Sequence, residues 1–330
     1  MSASYDVAAI GNAIVDVIAP AEDGFLAENS LVKGSMMLID EARAHELYGR
    51  MGQAIETSGG SAANTVAGVA SLGGRAAYFG KVAGDLLGDV FAHDTRAIGV
   101  SFETARLTAG PATGRCLINV TPDGERTMCT FLGASVELTP ADVDPAIIEA
   151  AAIVYLEGYL FDPPEARRAF AKAAGLARAA GRKIAITLSD AFVVERHRAG
   201  LLEFIETEVD LVFGNEIELK SLFETDDFEA AARAIRARTE IAAITLGERG
   251  SIVLTQTEDV SVAAYPVAKV VDTTGAGDQY AAGFMLGLAR GRSLDVCGRL
   301  GGLAAAEVIS HYGPRPVVSL AELAAANGLA

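Results

Sequence analysis

Val270-Val-Asp-Thr-Thr-Gly-Ala-Gly-Asp-Gln-Tyr-Ala-Ala-Gly283 decides how this 330-residue chain is read. A strand is predicted to end here, Gly275, Ala276 and Gly277 make a tight turn, and an Ala-rich helix follows at once, predicted over Ala276–Arg290. The first amides of a helix have no internal partner, and with the helix dipole they form an anion site. Glycines let the backbone approach that anion with no Cβ in the way. Asp278 falls in the first helical turn, beside such an anion. A carboxylate there can accept a proton from a hydroxyl while the amides hold an incoming phosphoryl group. Taken alone, Asp278 is equally a favourable acid at a helix start and the glycines a close-packed turn. The strand-turn-helix setting of the whole string Asp272–Asp278 supports the chemical reading, and neither GxxxxGK(S/T) nor GxGxxG occurs in the chain.

Outward from this stretch, short apolar runs rich in β-branched residues alternate with Ala-rich helical segments, the pattern of a parallel sheet covered on both faces. Strands are predicted at Val7–Ile10, Ala76–Gly80, Ile153–Leu156, Lys183–Leu188, Leu211–Phe213 and Ile241–Leu246. Helices are predicted at Ala62–Leu72, Leu86–Ile98, Pro164–Ala180, Ile217–Phe223, Phe228–Arg238, Leu294–Ile309 and near Ser319–Ala325. The expected fold class is α/β, a doubly wound and mostly parallel sheet with helices on both faces.

Two stretches break the rhythm. Ala13–Ile39 has strand-like pieces at Ala13–Ile18 and Ser35–Ile39 around a polar loop. Thr113–Thr130 reads as a hairpin, Arg115–Thr121 and Arg126–Thr130 about the turn Pro122-Asp-Gly-Glu125. Both read as antiparallel strands without a crossover helix, either an irregular sheet edge or a small β lid of four strands over the carboxyl ends of the sheet. The lid reading divides the chain into a large α/β domain of residues 1–12, 40–112 and 132–330 and an inserted lid of residues 13–39 and 113–131.

Composition limits the function classes. Lys and Arg number 27 against 43 Asp and Glu, a formal charge of −16. Such a chain lacks the basic face that a nucleic-acid or anionic-membrane binder needs, although a small anionic substrate is still allowed. Aromatics are 6% and tryptophan is absent, which argues against base-stacking platforms. Cys116, Cys129 and Cys297 form no CxxC pair, and His45, His93, His197 and His311 are scattered, so reduced thiols and no zinc site are expected. The first residues lack a basic, apolar leader and no apolar run nears the ~20 residues of a membrane span. The expected location is cytoplasmic.

The string Asp272-Thr-Thr-Gly-Ala-Gly-Asp278 resembles the C-terminal signature of the ribokinase-like (PfkB) family of carbohydrate and nucleoside kinases. Gly59-Gly-Ser-Ala-Ala-Asn64, Ala70-Ser-Leu-Gly-Gly74 and Gly80-Lys-Val-Ala-Gly-Asp85-Leu-Leu-Gly88 resemble its N-terminal signature, so the resemblance extends over nearly the whole chain. Within the family, Gly11-Asn-Ala-Ile-Val-Asp16 with Gly60-Ser-Ala-Ala-Asn64 is most similar to adenosine kinases.

Asn12 and Asp16, four apart on an extended segment, share a face and can grip the vicinal hydroxyls of a ribose, or serve as turn residues. Gly59, Gly60 and Ser61 open a helix whose first turn presents Asn64, and small residues there leave room for a sugar ring. The resemblance implies that Asn12, Asp16, Gly59, Gly60, Ser61 and Asn64 hold the ribose, that Asp278 deprotonates its 5′-hydroxyl, and that Gly275, Ala276 and Gly277 form the anion hole. Arg126 matches a family arginine that reaches the transferred phosphate, and is otherwise an exposed strand charge. Phe213-Gly-Asn215-Glu-Ile-Glu218 resembles the family's NxxE motif, with Glu218 holding the water shell of Mg²⁺; the bland reading is an Asn cap and a solvated acid. Thr245-Leu-Gly247-Glu-Arg-Gly250 resembles the nucleotide-side turn and is also an ordinary hairpin turn; Thr274 joins this nucleotide set. Many members bind a monovalent cation through an Asp matching Asp272, which makes K⁺ a candidate alongside ATP and Mg²⁺.

The expected reaction is ATP-dependent transfer of the γ-phosphate to a ribose 5′-hydroxyl, adenosine to AMP, with ribose, fructose or another nucleoside as alternative acceptors. A non-catalytic nucleotide-binding regulator is the alternative from another class. A monomer and a homodimer both fit the sequence, with a small molecule and ATP as partners and neither nucleic acid nor membrane.

Overall fold

A computed structural model describes residues 3–329. The first half runs β1 (Tyr5–Ile10), β2 (Ile14–Pro20), α1 (Asp23–Glu28), β3 (Met36–Leu38), α2 (Glu41–Arg50), β4 (Ile55–Gly59), α3 (Ser61–Ser71), β5 (Ala76–Phe79), α4 (Leu86–Ala97), β6 (Thr113–Val120) and β7 (Arg126–Gly133). Then come α5 (Pro145–Ala150), β8 (Ala151–Glu157), α6 (Pro164–Ala179), β9 (Lys183–Thr187), α7 (Ala191–Glu208), β10 (Leu211–Asn215), α8 (Glu216–Leu222) and α9 (Phe228–Arg236). The chain closes with β11 (Ile241–Thr245), β12 (Ser251–Thr255), β13 (Asp259–Val262), α10 (Ala276–Ala289), α11 (Leu294–Val308) and α12 (Leu320–Ala326).

The main sheet has the order β13-β12-β11-β10-β9-β8-β1-β5. It is parallel from β11 to β5, with β12 and β13 antiparallel at one edge. Its parallel strands are mostly apolar because both faces are covered. Along β1, Val7 and Ala9 enter one core with Val66 of α3, Phe284 of α10 and Leu300 of α11. Ala8 and Ile10 enter the other, with Phe170 of α6, Val193 of α7 and Leu219 of α8. Each fully buried Phe, Leu or Ile in these layers contributes about 1.5–3 kcal/mol.

The expected lid is a separate sheet of order β3-β7-β6-β2-β4. Two details differ from the sequence reading. β2 pairs parallel with β6, and β3 parallel with β7, leaving antiparallel pairing to β6–β7 and β2–β4. A fifth strand, β4, lies within the 40–112 stretch assigned to the large domain, yet it pairs with β2. Its sequence, Ile-Glu-Thr-Ser-Gly, has no apolar alternation to betray it. The 18-residue α7 was also missed: its buried residues are Val193, Val194, Leu201 and Ile205, a gap that breaks the helical period.

The sheet order reverses direction at β1. From β8 the strands proceed outward through β9, β10 and β11, whereas β5 lies on the other side of β1. In open α/β sheets the crevice at such a switch point, outside the carboxyl ends of the strands, is where ligands bind. The turn from β1 into the small sheet and the turn from β4 back into α3 both lie at this end. No described helix is long and apolar enough to cross a membrane.

Candidate active site

At the switch point Ile10 of β1 and Leu156 of β8 are register partners, so Asn12 and Glu157 emerge side by side. Glu157 accepts from Asn12 N at 3.2 Å and Asn12 Nδ2 at 2.9 Å on one oxygen, and from Ala62 N at 2.9 Å on the other. It thereby caps the first turn of α3, whose own N-cap, Gly60, has no side chain to do so. Burial pushes the Glu157 carboxyl up to about 7, against the pull of those three hydrogen bonds. Asn12 Oδ1 is buried and has no partner among the described residues.

The strand expected before this turn is not formed, since β13 ends at Val262 and residues 263–273 run as irregular chain. Helix α10 begins on Gly275 at φ +79°, a conformation that glycine adopts without strain, and a Cβ there would lie 2.5 Å from the Pro314 carbonyl oxygen. No side chain caps this helix, whereas α2, α4, α7 and α11 each have an Asp or Ser cap. Its first turn presents Gly277, around which a Cβ would meet nothing within 4 Å. Next to it, Asp278 accepts from Ser61 Oγ at 2.6 Å and from Asn64 Nδ2 at 3.4 Å. Burial pushes Asp278 up to about 6, with both hydrogen bonds opposing the rise. A carboxyl tuned this way is ionised near neutral pH and still basic enough to take a proton.

Asp16 projects from β2 against Gly59 of β4, so closely that a Cβ on Gly59 would sit 2.4 Å from its carboxylate. Burial pushes Asp16 up to about 7, with Asp278 adding to the rise and the charges of Arg315 and Arg126 opposing it. Arg126, on β7 of the small sheet, crosses to the turn before α10. Its Nη1 donates to Thr274 Oγ1 at 2.8 Å and its Nη2 is paired with Asp272. The arginine side chain is 9% exposed, so the exposed-charge reading of this residue fails. Asp272 also accepts from Thr274 N at 3.0 Å and Gly313 N at 2.8 Å. Surrounded by donors, Asp272 serves here as the anchor of the turn, and Thr274 faces Arg126.

Across the sheet, Asn215 ends β10 and is the register partner of Thr245 on β11. Asn215 caps α8 by accepting from Glu218 N at 2.9 Å, while Glu218 accepts from Asn215 N at 3.0 Å and Nδ2 at 2.7 Å. The Asn cap is as the sequence suggested, but the acid is not solvated: Glu218 is 8% exposed and pushed up to about 7 by burial. Gly247 and Gly250 lie on the turn joining the antiparallel β11 and β12, and a Cβ on Gly250 would clash with the Val262 carbonyl oxygen at 2.1 Å.

Two residues of the cluster were not anticipated. Glu157 had a signal, an acid directly at the end of a wholly apolar strand. Arg315 lies in Gly313-Pro-Arg-Pro316, which reads from sequence as a break between helices. Its Nε donates to Asn64 Oδ1 at 3.1 Å and its Nη1 to Ser58 Oγ at 2.6 Å.

Residues 6–320 match the pfkB family carbohydrate kinase. The chain belongs to this family. Among solved structures, the adenosine kinase from Sinorhizobium meliloti is 54% identical with a TM-score of 0.93, covering 98% of this chain and 100% of that one. A probable sugar kinase from Rhizobium etli is 51% identical with a TM-score of 0.95, covering 99% and 100%. Adenosine kinase 2 of Arabidopsis thaliana is 27% identical over 94% of this chain and 96% of its own length. The small sheet beside the doubly wound sheet is thus the PfkB architecture. Membership makes the chain a phosphotransferase for a sugar or nucleoside, using ATP and a divalent metal ion.

Proposed function

We propose that the chain transfers the γ-phosphate of ATP to the 5′-hydroxyl of adenosine, giving AMP. The observation that carries this reading is Asp278, basic for a carboxylate and lying beside the uncapped first turn of α10 at Gly277. Asp278 takes the hydroxyl proton while the α10 amides stabilise the transferred phosphoryl group. The ribose is held by Asp16, Asn12 and Asn64, with Gly60 and Ser61 flanking it, and the unpartnered Asn12 Oδ1 accepts from one of its hydroxyls. Arg126, whose Nε is buried without a partner, serves the phosphate chain from the small sheet as that sheet closes. Asn215 and Glu218, with Thr245 beside them, are oxygen donors suited to a hydrated Mg²⁺, which when bound would neutralise phosphate charge. The Sinorhizobium meliloti structure and the Arabidopsis thaliana relative both bear the name adenosine kinase, which supports the nucleoside over a free sugar.

ADP release with adenosine, inosine, ribose and fructose at saturating MgATP tests the assignment. The expected kcat/KM for adenosine exceeds that for ribose and fructose about 100-fold or more, because the sugar alone forfeits the contacts to the base. A preference for ribose or fructose overturns the nucleoside assignment, and no ADP release with any of the four overturns catalysis.

A further inference from the structure

We propose that Arg315 is a positioning residue for the proposed base: by donating to the carbonyl oxygen of Asn64 it fixes that amide so that its NH₂ end faces the Asp278 carboxylate. The inference rests on the reading of Asp278 as the base and adds to it a residue outside the recognised motifs.

The two ends of an asparagine amide have almost the same shape and opposite hydrogen-bonding character. Turned by half a rotation, Asn64 would set its oxygen against the oxygen of Asp278, acceptor against acceptor. A guanidinium can only donate. Arg315 Nε on Asn64 Oδ1 at 3.1 Å therefore selects the orientation in which Nδ2 reaches Asp278 Oδ2 at 3.4 Å, while Ser61 holds Oδ1 at 2.6 Å.

Arg315 is itself held in place by its segment. It sits between two prolines, and Gly313 N donates to Asp272 at 2.8 Å. Gln279 Nε2 donates to the Pro314 carbonyl at 3.0 Å and also to the Asn64 carbonyl at 2.9 Å. On the far side, Glu307 accepts from Val317 N at 3.1 Å. The second donor of Arg315, Nη1, is anchored on Ser58 of β4 at 2.6 Å. Burial pulls the guanidinium down, and the charges of Asp16 and Asp94 oppose this. Loop, small sheet and helix α3 thus meet on one cation whose Nε reaches toward the base through an amide, while its Nη2 is buried with no partner among the described residues.

The test is the pH dependence of kcat and KM for adenosine at saturating MgATP, in wild type, Arg315→Met, Arg315→Lys, Asn64→Ala and the Asn64→Ala/Arg315→Met pair, with Asp278→Asn alongside. Besides Ser61 and Asn64, the charged and titratable groups around Asp278 are Asp16 from β2, Tyr155 and Glu157 from β8 and Tyr159 after it, and none is altered. Arg315→Met is expected to lower kcat about 10- to 100-fold and to move its acid limb to higher pH, because the carboxylate loses a donor. Arg315→Lys, which keeps a donating charge, recovers most of the loss. In the Asn64→Ala background Arg315→Met costs less than about twofold more. An unmoved acid limb in Arg315→Met, or an undiminished loss in the Asn64→Ala background, overturns the inference while leaving the base reading intact. Turnover retained by Asp278→Asn overturns the base reading itself. Should Arg315→Met fold poorly, Arg315→Lys against Arg315→Lys/Asn64→Ala measures the same coupling.

Discussion

Asp16, Glu157, Glu218 and Asp278 are all raised by burial, and their partners separate their duties. Glu157 is saturated with N–H donors from two segments and acts as a fastener. Glu218 is closed into a reciprocal cap. Asp278 has two side-chain donors, one of them long, and an open backbone beside it. Glu157→Ala would leave the Asn12 and Ala62 amides unpaired in the interior, a loss of about 3 kcal/mol in stability. Urea unfolding measures it, and a loss below about 1 kcal/mol would show that the cap is dispensable. Asp278 was legible from sequence because the glycine turn proposed as its anion hole is contiguous with it. Glu157 and Arg315 were not, since Asn12 and Glu157 are 145 residues apart and Arg315 and Asn64 are 251 apart. Only the strand order and the path of the last loop bring them together.

Among the elements, the six parallel strands were legible because burial on both faces leaves apolar runs. β4 was not, because its pairing with β2 comes from backbone and its single apolar side chain, Ile55, is exposed. The parallel pairing of β2 with β6 was hidden for a related reason, since the chain between them travels through the large domain. The small sheet is tied to the turn before α10 by Arg126 on Asp272 and Thr274, and to the C-terminal loop by Ser58 on Arg315. Arg126→Met should release the first tie. The expected outcome is a fall in kcat of about 100-fold, with faster amide exchange in β7 and in residues 272–274. Unchanged exchange with unchanged kcat would remove Arg126 from both closure and phosphate binding.

For the whole molecule, the charge of −16 and the buried acids act in the same direction. Asp16, Glu157 and Glu218 have folded-state values of about 7, above those of an unfolded chain, so the folded state binds more protons between about pH 4 and 7. The stability they contribute is present at the acid end of that window and is lost as pH rises through 7. With Asp278 as the proposed base, activity is expected to run the other way and fall as pH drops through about 6. The melting temperature should therefore be higher near pH 5.5 than near pH 8 while kcat is lower, and a melting temperature that falls on acidification across that interval would contradict the burial of these groups as charged-form penalties. A net charge of −16 is compatible with the proposed phosphate site because positive potential there would be local, in the first turn of α10 and in Arg126.

Deprotonation of the adenosine 5′-hydroxyl by Asp278 is read out by running the acceptor comparison with Asp278→Asn beside wild type, following AMP formation and measuring MgATP binding by calorimetry. The expected result is AMP from adenosine with wild type and loss of turnover by about 1,000-fold or more in Asp278→Asn with MgATP affinity preserved. AMP formed by Asp278→Asn at a rate within about tenfold of wild type would contradict it.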